Sequence, residues 1–446
     1  MTYANIILPL PLEGLFTYGV PEALASRVQV GVRVRVPLGK SKTYVGIVAE
    51  YPVELPASES GVVDNEKKIV YKDILEVLDA TPVLLPQQLR LWRWISDYYM
   101  SPIGDVYKAA LPSGLKAEDG YHPRTELYIR LADNFRNERS LTLMIDAMKR
   151  ASKQVEVLMA YLRLAGVDGV EHLTTETPLR EVTREELMND THTTIGVIRA
   201  LTDRKLLVTY EKEVGRLNDN VLPHPEHIKP LNEAQTTAYN QILIQMMGHP
   251  VTLLHGVTSS GKTEIYIHLI QKAIDEHKQV LYLLPEIALT VQITERLKAV
   301  FGNRLGIYHS KYSDAERVEI WQKQLSAQPY DVILGARSAV FLPFQRLGLV
   351  IIDEEHEQSF KQQDPAPRYH ARSAAIVLAQ MYTGAKTLLG TATPSMETYY
   401  NAQQGKYGLV ELTRRYKDIH LPAIEVVDVK DLYRRKMMTG PFSPRL

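Results

Sequence analysis

The segment that most restricts how this chain folds is Gly256-Val-Thr-Ser-Ser-Gly261-Lys262-Thr263. It follows an apolar run, Val251 to Leu254, and precedes the helical run Glu264 to Ile274. A strand therefore passes through a glycine-rich turn directly into a helix. In that setting backbone N–H groups of the turn face an anion, which marks Gly256, Val257, Thr258, Ser259, Ser260, Gly261, Lys262 and Thr263 as a candidate ATP-binding loop. Lys262 reaches the β and γ phosphates, and the Thr263 hydroxyl is offered to Mg2+. From about residue 229 onward further apolar runs, Gln279 to Leu284, Asp331 to Leu334, Leu347 to Ile352 and Lys386 to Leu389, alternate with helical spacing. That alternation predicts an α/β unit around a parallel sheet.

The remainder of the 446 residues has a different character, and at roughly 150 residues per domain the chain has room for two to four. Gly31 to Pro37 alternates apolar and polar residues, turns at Leu38 to Lys42 and returns over Thr43 to Ala49, the pattern of a hairpin. Glu54 to Lys68 is charged and lacks apolar period, which predicts a loop. In Pro86 to Tyr99 the residues Leu89, Trp92, Ile95 and Tyr98 share one helical face. Beyond a boundary between Leu111 and Gly120, short helices over Val155–Leu164, Thr183–Met188 and Thr193–Leu201 precede a strand and turn at Lys205–Glu213. Helices followed by a short β element suit a winged helix, and equally a small α+β packing module. The expected organisation is a β-rich domain over 1–112, a winged-helix-like α+β domain over 121–218, a RecA-like lobe over 229–435 and a tail over 436–446.

Composition narrows the chemistry. There is no cysteine, so no disulfide, thiolate metal site or cysteine nucleophile exists in these residues. Lys+Arg and Asp+Glu both number 52, so any nucleic acid must be held by local basic clusters. Arg33 and Arg35 alternate toward one strand face near Lys40 and Lys42 and form one such candidate cluster. No apolar run approaches the ~20 residues of a membrane span, and the first residues show no secretory signal, so a cytoplasmic location is expected.

The second chemical signature is Leu349-Val-Ile-Ile-Asp353-Glu354-Glu355-His356, an apolar strand that ends in acids. Such a strand end delivers Asp353 to the magnesium and Glu354 to the water that attacks the γ phosphate, with Glu355 expected as a solvated neighbour. His356 is expected to couple the acids to a later segment, because no second histidine lies at ligand spacing.

These residues resemble a known family. Asp353 to His356 is similar to the DExH box of superfamily 2 helicases, and Gly390-Thr391-Ala392-Thr393-Pro394-Ser395 to their motif III. Leu231-Asn232-Glu233-Ala234-Gln235 resembles the upstream glutamine motif that reads adenine, which makes Gln235 a further ATP contact. Pro285 to Thr290, Gly335-Ala336-Arg337-Ser338-Ala339-Val340-Phe341 and Arg368-Tyr369-His370-Ala371-Arg372 look like the PriA family of primosomal replication-restart helicases.

The resemblance implies a multidomain α/β, ATP- and Mg2+-dependent 3′-to-5′ DNA helicase that recognises branched or stalled replication forks and starts primosome assembly. The alternative is a non-catalytic fragment that binds fork DNA and nucleotide. It implies as partners forked DNA with a 3′ end, single-stranded DNA, primosome proteins, the single-stranded-DNA-binding protein and the replicative helicase loader. Pro9 to Tyr18 and Arg33 to Lys40 are similar to the domain that captures a nascent 3′ end, which implies DNA contacts at Phe16, Tyr18, Gly39, Lys40 and Lys72. Thr17 departs from the acid that some relatives carry there.

Arg337 and Ser338, with Phe360, Lys361, Arg368 and Tyr369 around the Pro-rich loop, are implied as further DNA contacts, the aromatics by stacking on bases. Lys262, Asp353, Glu354 and His356 are the implied catalytic set. The family also has a zinc module and a second RecA-like lobe, whose cysteines and motifs are absent before Leu446. The expectation is a shortened chain with little hydrolysis by itself.

Overall fold

The computed structural model describes residues 2–54, 71–117, 125–167, 169–213, 221–286, 288, 291–415, 424–438 and 440–445. The loop expected over Glu54–Lys68 lies, from residue 55 on, outside them. The chain divides into two compact units, one of Met1–Ala110, Val221–Ser310 and Lys323–Leu446, the other of Leu111–Asn220 with Lys311–Gln322. No described helix is long and apolar enough to cross a membrane.

The chain begins with strands β1 (Thr2–Ile7), β2 (Phe16–Val20), β3 (Arg33–Leu38), β4 (Lys42–Val53) and β5 (Glu76–Val77) in an antiparallel sheet of order β2-β1-β4-β3-β5. Alternation along β3 buries Val34 and Val36 against Ile6, Val20 and Ile74, as a half-buried pleat requires. Helices α1 (Pro86–Tyr98) and α2 (Ile103–Ala110) follow, and the Trp92 ring meets Tyr107 edge to face. The buried face of α1 carries Leu89, Leu91, Trp92 and Ile95. Tyr98, expected on that face, is instead 64% exposed. It stands in the last turn, where its ring stacks on Trp94 at 4.9 Å.

The expected basic cluster on β3 is also corrected. Arg33 is buried and its guanidinium and backbone N–H both bond Asp79, while Arg35 pairs with Glu76 at 3.3 Å. Carboxylates that close neutralise both charges, so they offer little field to a phosphate backbone.

The second unit contains α3 (Ser113–Lys116), β6 (Thr125–Leu131), α4 (Glu138–Ala147), α5 (Ser152–Leu164), β7 (Val182–Thr183), α6 (Arg184–Thr191), α7 (Ile195–Asp203) and β8 (Leu207–Glu213). Its antiparallel sheet has the order β7-β6-β8, and its helices close over Leu141, Leu158, Tyr161, Leu187 and Leu201. The Tyr161 hydroxyl accepts the Leu131 N–H at 3.0 Å, so even the buried phenol is satisfied.

The largest sheet is entirely parallel. In chain order this part of the sequence forms α8 (Glu233–Gly248), β9 (Val251–Gly256), α9 (Lys262–Asp275), β10 (Gln279–Leu283), α10 (Val291–Phe301), β11 (Leu305–Tyr308), α11 (Asp314–Leu325), which up to Gln322 counts with the second unit, β12 (Val332–Gly335), β13 (Leu347–Asp353), α12 (Ala371–Gln380), β14 (Lys386–Thr391), α13 (Met396–Gln403), β15 (Gly408–Leu412) and α14 (Val429–Arg434). Seven strands take the order β11-β12-β10-β13-β14-β9-β15. Consequently β13, β14 and β9 are adjacent, with Asp353 beside Gly390 and Thr391 beside His255. Parallel order points all three carboxyl ends to one edge of the sheet, where open α/β sheets place ligands.

Because the buried Arg33 guanidinium is bonded to the Asp79 carboxylate, removing that carboxylate takes away its buried ion pair. Asp79→Ala is expected to lower unfolding stability by about 3–5 kcal/mol in a denaturant titration, far more than removing the exposed partner in Glu76→Ala.

Candidate nucleotide and nucleic-acid sites

The loop after β9 keeps its shape through two left-handed residues, Ser259 at φ +60° and Gly261 at φ +82°. A Cβ at Gly261 would stand 2.2 Å from Gln235 Nε2, so only glycine fits. Gln235 is buried at the start of α8. Its Oε1 accepts the Asn232 N–H at 3.0 Å, and its Nε2 donates to the Ser260 and Gly261 carbonyls at 3.3 and 3.4 Å. The adenine contact expected of Gln235 is therefore corrected: both ends of its amide are engaged within the chain, and it braces the loop from below.

Lys262, 9% exposed, donates from Nζ to the Gly256 carbonyl at 2.9 Å. The Ser260 hydroxyl is buried without a partner, Val257 and Thr263 are half-buried, and Thr258 and Ser259 are exposed. Arg415 donates to the Thr258 hydroxyl at 3.2 Å.

At the end of β13, Asp353 Oδ1 accepts from the Tyr266 hydroxyl at 3.0 Å and from the Glu354 N–H at 3.1 Å, and Oδ2 accepts from the Tyr282 hydroxyl at 3.3 Å. Burial and, next, the Glu354 charge push its carboxyl up to about 6, against the opposing pull of Lys262. The Tyr266 hydroxyl passes so close over β14 that a Cβ at Gly390 would lie 1.8 Å from it. Glu354 takes a left-handed backbone, φ +47°, which turns its side chain toward β14. There Thr391 Oγ1 stands 3.4 Å from Glu354 Oε2 and 2.8 Å from His356 Nδ1. Sequence reasoning thus placed the loop, Asp353, Glu354, His356 and the Gly390–Ser395 segment in one neighbourhood, and the sheet order brings them together.

Glu355 overturns its expected solvated position. It is fully buried. Its carboxylate pairs with Arg372 and accepts from the Ser395 N–H at 2.7 Å and from the Thr398 hydroxyl at 3.0 Å. Arg372 also reaches the Ser395 hydroxyl at 2.8 Å. The buried charge ties the turn after β13 to the start of α12 and to the N-terminus of α13. The signal available in the sequence was the Arg372 after Tyr369-His370, which needs an acid somewhere nearby.

The candidate DNA contacts divide. In the N-terminal sheet Tyr18 is buried, with its hydroxyl on the Pro37 carbonyl at 3.1 Å, so its ring has no free face for a base. Phe16 is partly buried against the same core. Gly39 has φ +65° and open space where a Cβ would stand; its carbonyl accepts Lys72 Nζ, and Lys40 is exposed. Thr17 bonds Asn5, which bonds Glu50, a polar row across three strands.

In the Pro-rich loop Phe360 and Tyr369 are each 1% exposed, and Tyr369 packs edge to face on Phe341 at 5.0 Å. Base stacking on these two rings is corrected accordingly: apolar burial holds them in the core. Arg337 donates to the Lys361 carbonyl at 3.1 Å, and Ser338 is half-buried beside it. Lys361 and Arg368 remain at the surface side of the loop, joined by Lys361 Nζ on the Arg368 carbonyl.

Among the described residues no group of three or more His, Asp or Glu side chains could enclose a metal. Magnesium needs less, because it keeps waters and substrate phosphates with one or two carboxylates. Asp353, with its raised proton affinity and no cation of its own, fits such an ion, and the unpartnered Ser260 hydroxyl fits a polar ligand over the loop.

Three family models match the chain in succession. The description "3′DNA-binding domain" matches residues 5–112, "Winged helix domain, PriA helicase, Bacteroidota" matches 126–214, and "DEAD/DEAH box helicase" matches 232–402. Replication restart protein PriA of Haemophilus influenzae is 34% identical over 453 residues, covering 100% of this chain and 56% of that protein. The Bacillus subtilis protein of the same name is 31% identical, covering 97% and 58%, and that of Rickettsia conorii 41% identical, covering 96% and 48%. The chain spans about half the length of the curated relatives it matches.

A carboxyl whose folded pKa is raised from 3.8 to about 6 favours the folded state at low pH and loses that contribution as pH rises through 6. In ligand-free protein Asp353→Asn is therefore expected to raise stability at pH 8 by about 1–3 kcal/mol and to be neutral or destabilising at pH 4, read from melting temperatures at both pH values.

Proposed function

The chain belongs to the PriA family of replication restart proteins, and on that premise we propose that it is the nucleotide- and fork-binding part of an ATP-dependent DNA helicase acting 3′ to 5′ at branched or stalled replication forks. The observation that carries the nucleotide reading is the convergence of Lys262, at the start of α9 after β9, with Asp353 and Glu354, at the end of β13, on one edge of the sheet, where β14 with Thr391 lies between the two strands.

In this reading the Lys262 amine leaves the Gly256 carbonyl for the β and γ phosphates, while backbone N–H groups of Ser259 to Thr263 face the same anion. The Thr263 hydroxyl and the Asp353 carboxylate would hold Mg2+, which would neutralise phosphate charge when bound. Glu354 accepts the proton of the attacking water. Its left-handed backbone and the Thr391 hydroxyl aim the carboxylate, and His356 on the same hydroxyl ties that aim to the segment through Ser395. Gln235 keeps the loop open for the phosphates from the side away from them.

Forked DNA with a free 3′ end is the proposed substrate. Gly39, Lys40 and Lys72, with Phe16 on the neighbouring strand set, support that reading at the N-terminal sheet. The partners are primosome proteins, the single-stranded-DNA-binding protein and the replicative helicase loader, in the cytoplasm.

Titration with a fluorescent ATP analogue tests the role assignment. Lys262→Ala is expected to abolish binding, because it removes the one cation the loop puts on the phosphates. Glu354→Gln is expected to bind as the native chain does, since only the proton acceptor is removed. Equal loss in both variants would contradict the assignment.

A further inference from the structure

The Gln235 amide is taken up in bracing the phosphate loop, so the base of a nucleotide needs another partner, and the sheet order fixes the side from which it comes. Strand β9 lies between β14 and β15. Glu354 and Thr391 stand on the β14 side, so the γ-phosphate end of the ligand belongs there. A triphosphate laid over the loop then carries its nucleoside toward β15. The carboxyl end of β15 follows the loop closely: Leu412 pairs with Gly256, and its carbonyl accepts the Val257 N–H at 3.1 Å. Three residues on, Arg415 donates from Nη2 to the Thr258 hydroxyl at 3.2 Å. Among the described residues it pairs with no carboxylate, and its Nε–H is buried without an acceptor.

We propose that Arg415 is a nucleotide-binding residue whose guanidinium face packs on the base. The proposal rests on the nucleotide reading above and supplies the contact to the nucleoside half that this reading lacks. A guanidinium is flat, permanently charged and weakly hydrated, so it stacks on a heteroaromatic ring and is attracted to its π face. Its resting position beside Thr258 is a poor one. A dry N–H with no acceptor costs free energy, and a neutral hydroxyl is a weaker partner for a guanidinium than a carboxylate. Leaving that hydroxyl for a ligand therefore gives up little. Nothing in the spacing of Thr413-Arg414-Arg415 marks a site, because only the pairing of β15 with β9 brings the arginine to the loop.

Calorimetric titration of the 446-residue chain with two ligands tests this, with the melting temperature of each variant read alongside. One ligand is a magnesium-bound, non-hydrolysable ATP analogue; the other is magnesium tripolyphosphate, which has the phosphates without the nucleoside. Arg415→Ala and Arg415→Lys are both expected to weaken the ATP analogue roughly tenfold, because each removes the flat face. Arg415→Lys keeps the charge and is expected to leave tripolyphosphate affinity within about threefold of native. Native affinity for the ATP analogue in either variant overturns the stacking contact while the nucleotide reading stands. Equal losses for the two ligands in Arg415→Lys overturn it as well, since they put the side chain on the phosphates or on the loop. A native chain that binds neither ligand overturns the nucleotide reading itself, and this contact with it.

Discussion

A carboxylate taken fully out of water survives only if the fold surrounds it with donors, and Glu355 sets that condition on everything near it. Arg372, the Ser395 N–H and the Thr398 hydroxyl must all converge on it. They join Glu355, in the turn after β13, to two further stretches: the first turn of α12 and the N-terminus of α13. The arrangement costs desolvation and returns geometry, since an unpaired charge in that place would cost several kcal/mol. Once those stretches are fixed, Glu354 is turned toward Thr391 and the Pro-rich loop is carried to its place by the residues before Arg372.

The second constraint is sheet order. With β13, β14 and β9 adjacent and parallel, the phosphate loop and the acids meet at one edge although a long stretch of chain separates them. Two tyrosines from α9 and β10 then hold Asp353 in a partly dry position, which raises its proton affinity and suits it to a hard cation rather than to a permanent ion pair. Gly390 is needed for the same reason, because the Tyr266 hydroxyl occupies the place of a side chain there.

The parts legible in the sequence were those with strong local pattern. The glycine-rich loop, the apolar strand ending in Asp353 and the alternating β3 each follow from residue spacing, and the short helices α5, α6 and α7 follow from period. Strands β6, β11 and β15 and helix α4 were not legible: β11 and β15 are short runs interrupted by Gly or Glu. Site details failed where sequence position cannot report burial. Glu355 follows two functional acids and looks solvated, yet packing puts it inside. Phe360 and Tyr369 sit next to Lys361 and Arg368, and Tyr18 between Thr17 and Gly19, and all three look exposed, yet their rings complete apolar cores. Gln235 has the composition of a base-reading motif, while its amide closes a capping box and the loop beneath the phosphates.

The central claim is that the Asp353 carboxylate, whose burial raises its proton affinity, is the group that the magnesium–nucleotide complex engages. The direct measurement is calorimetric affinity for a magnesium-bound, non-hydrolysable ATP analogue between pH 5 and pH 8, in the native chain and in Asp353→Asn. The native affinity should rise about tenfold or somewhat less as pH climbs through 6 and then level off, because only the ionised carboxylate binds. The Asn variant should bind weakly and lack that rise. Parallel profiles in the two proteins would contradict the claim and move the metal contact to another residue.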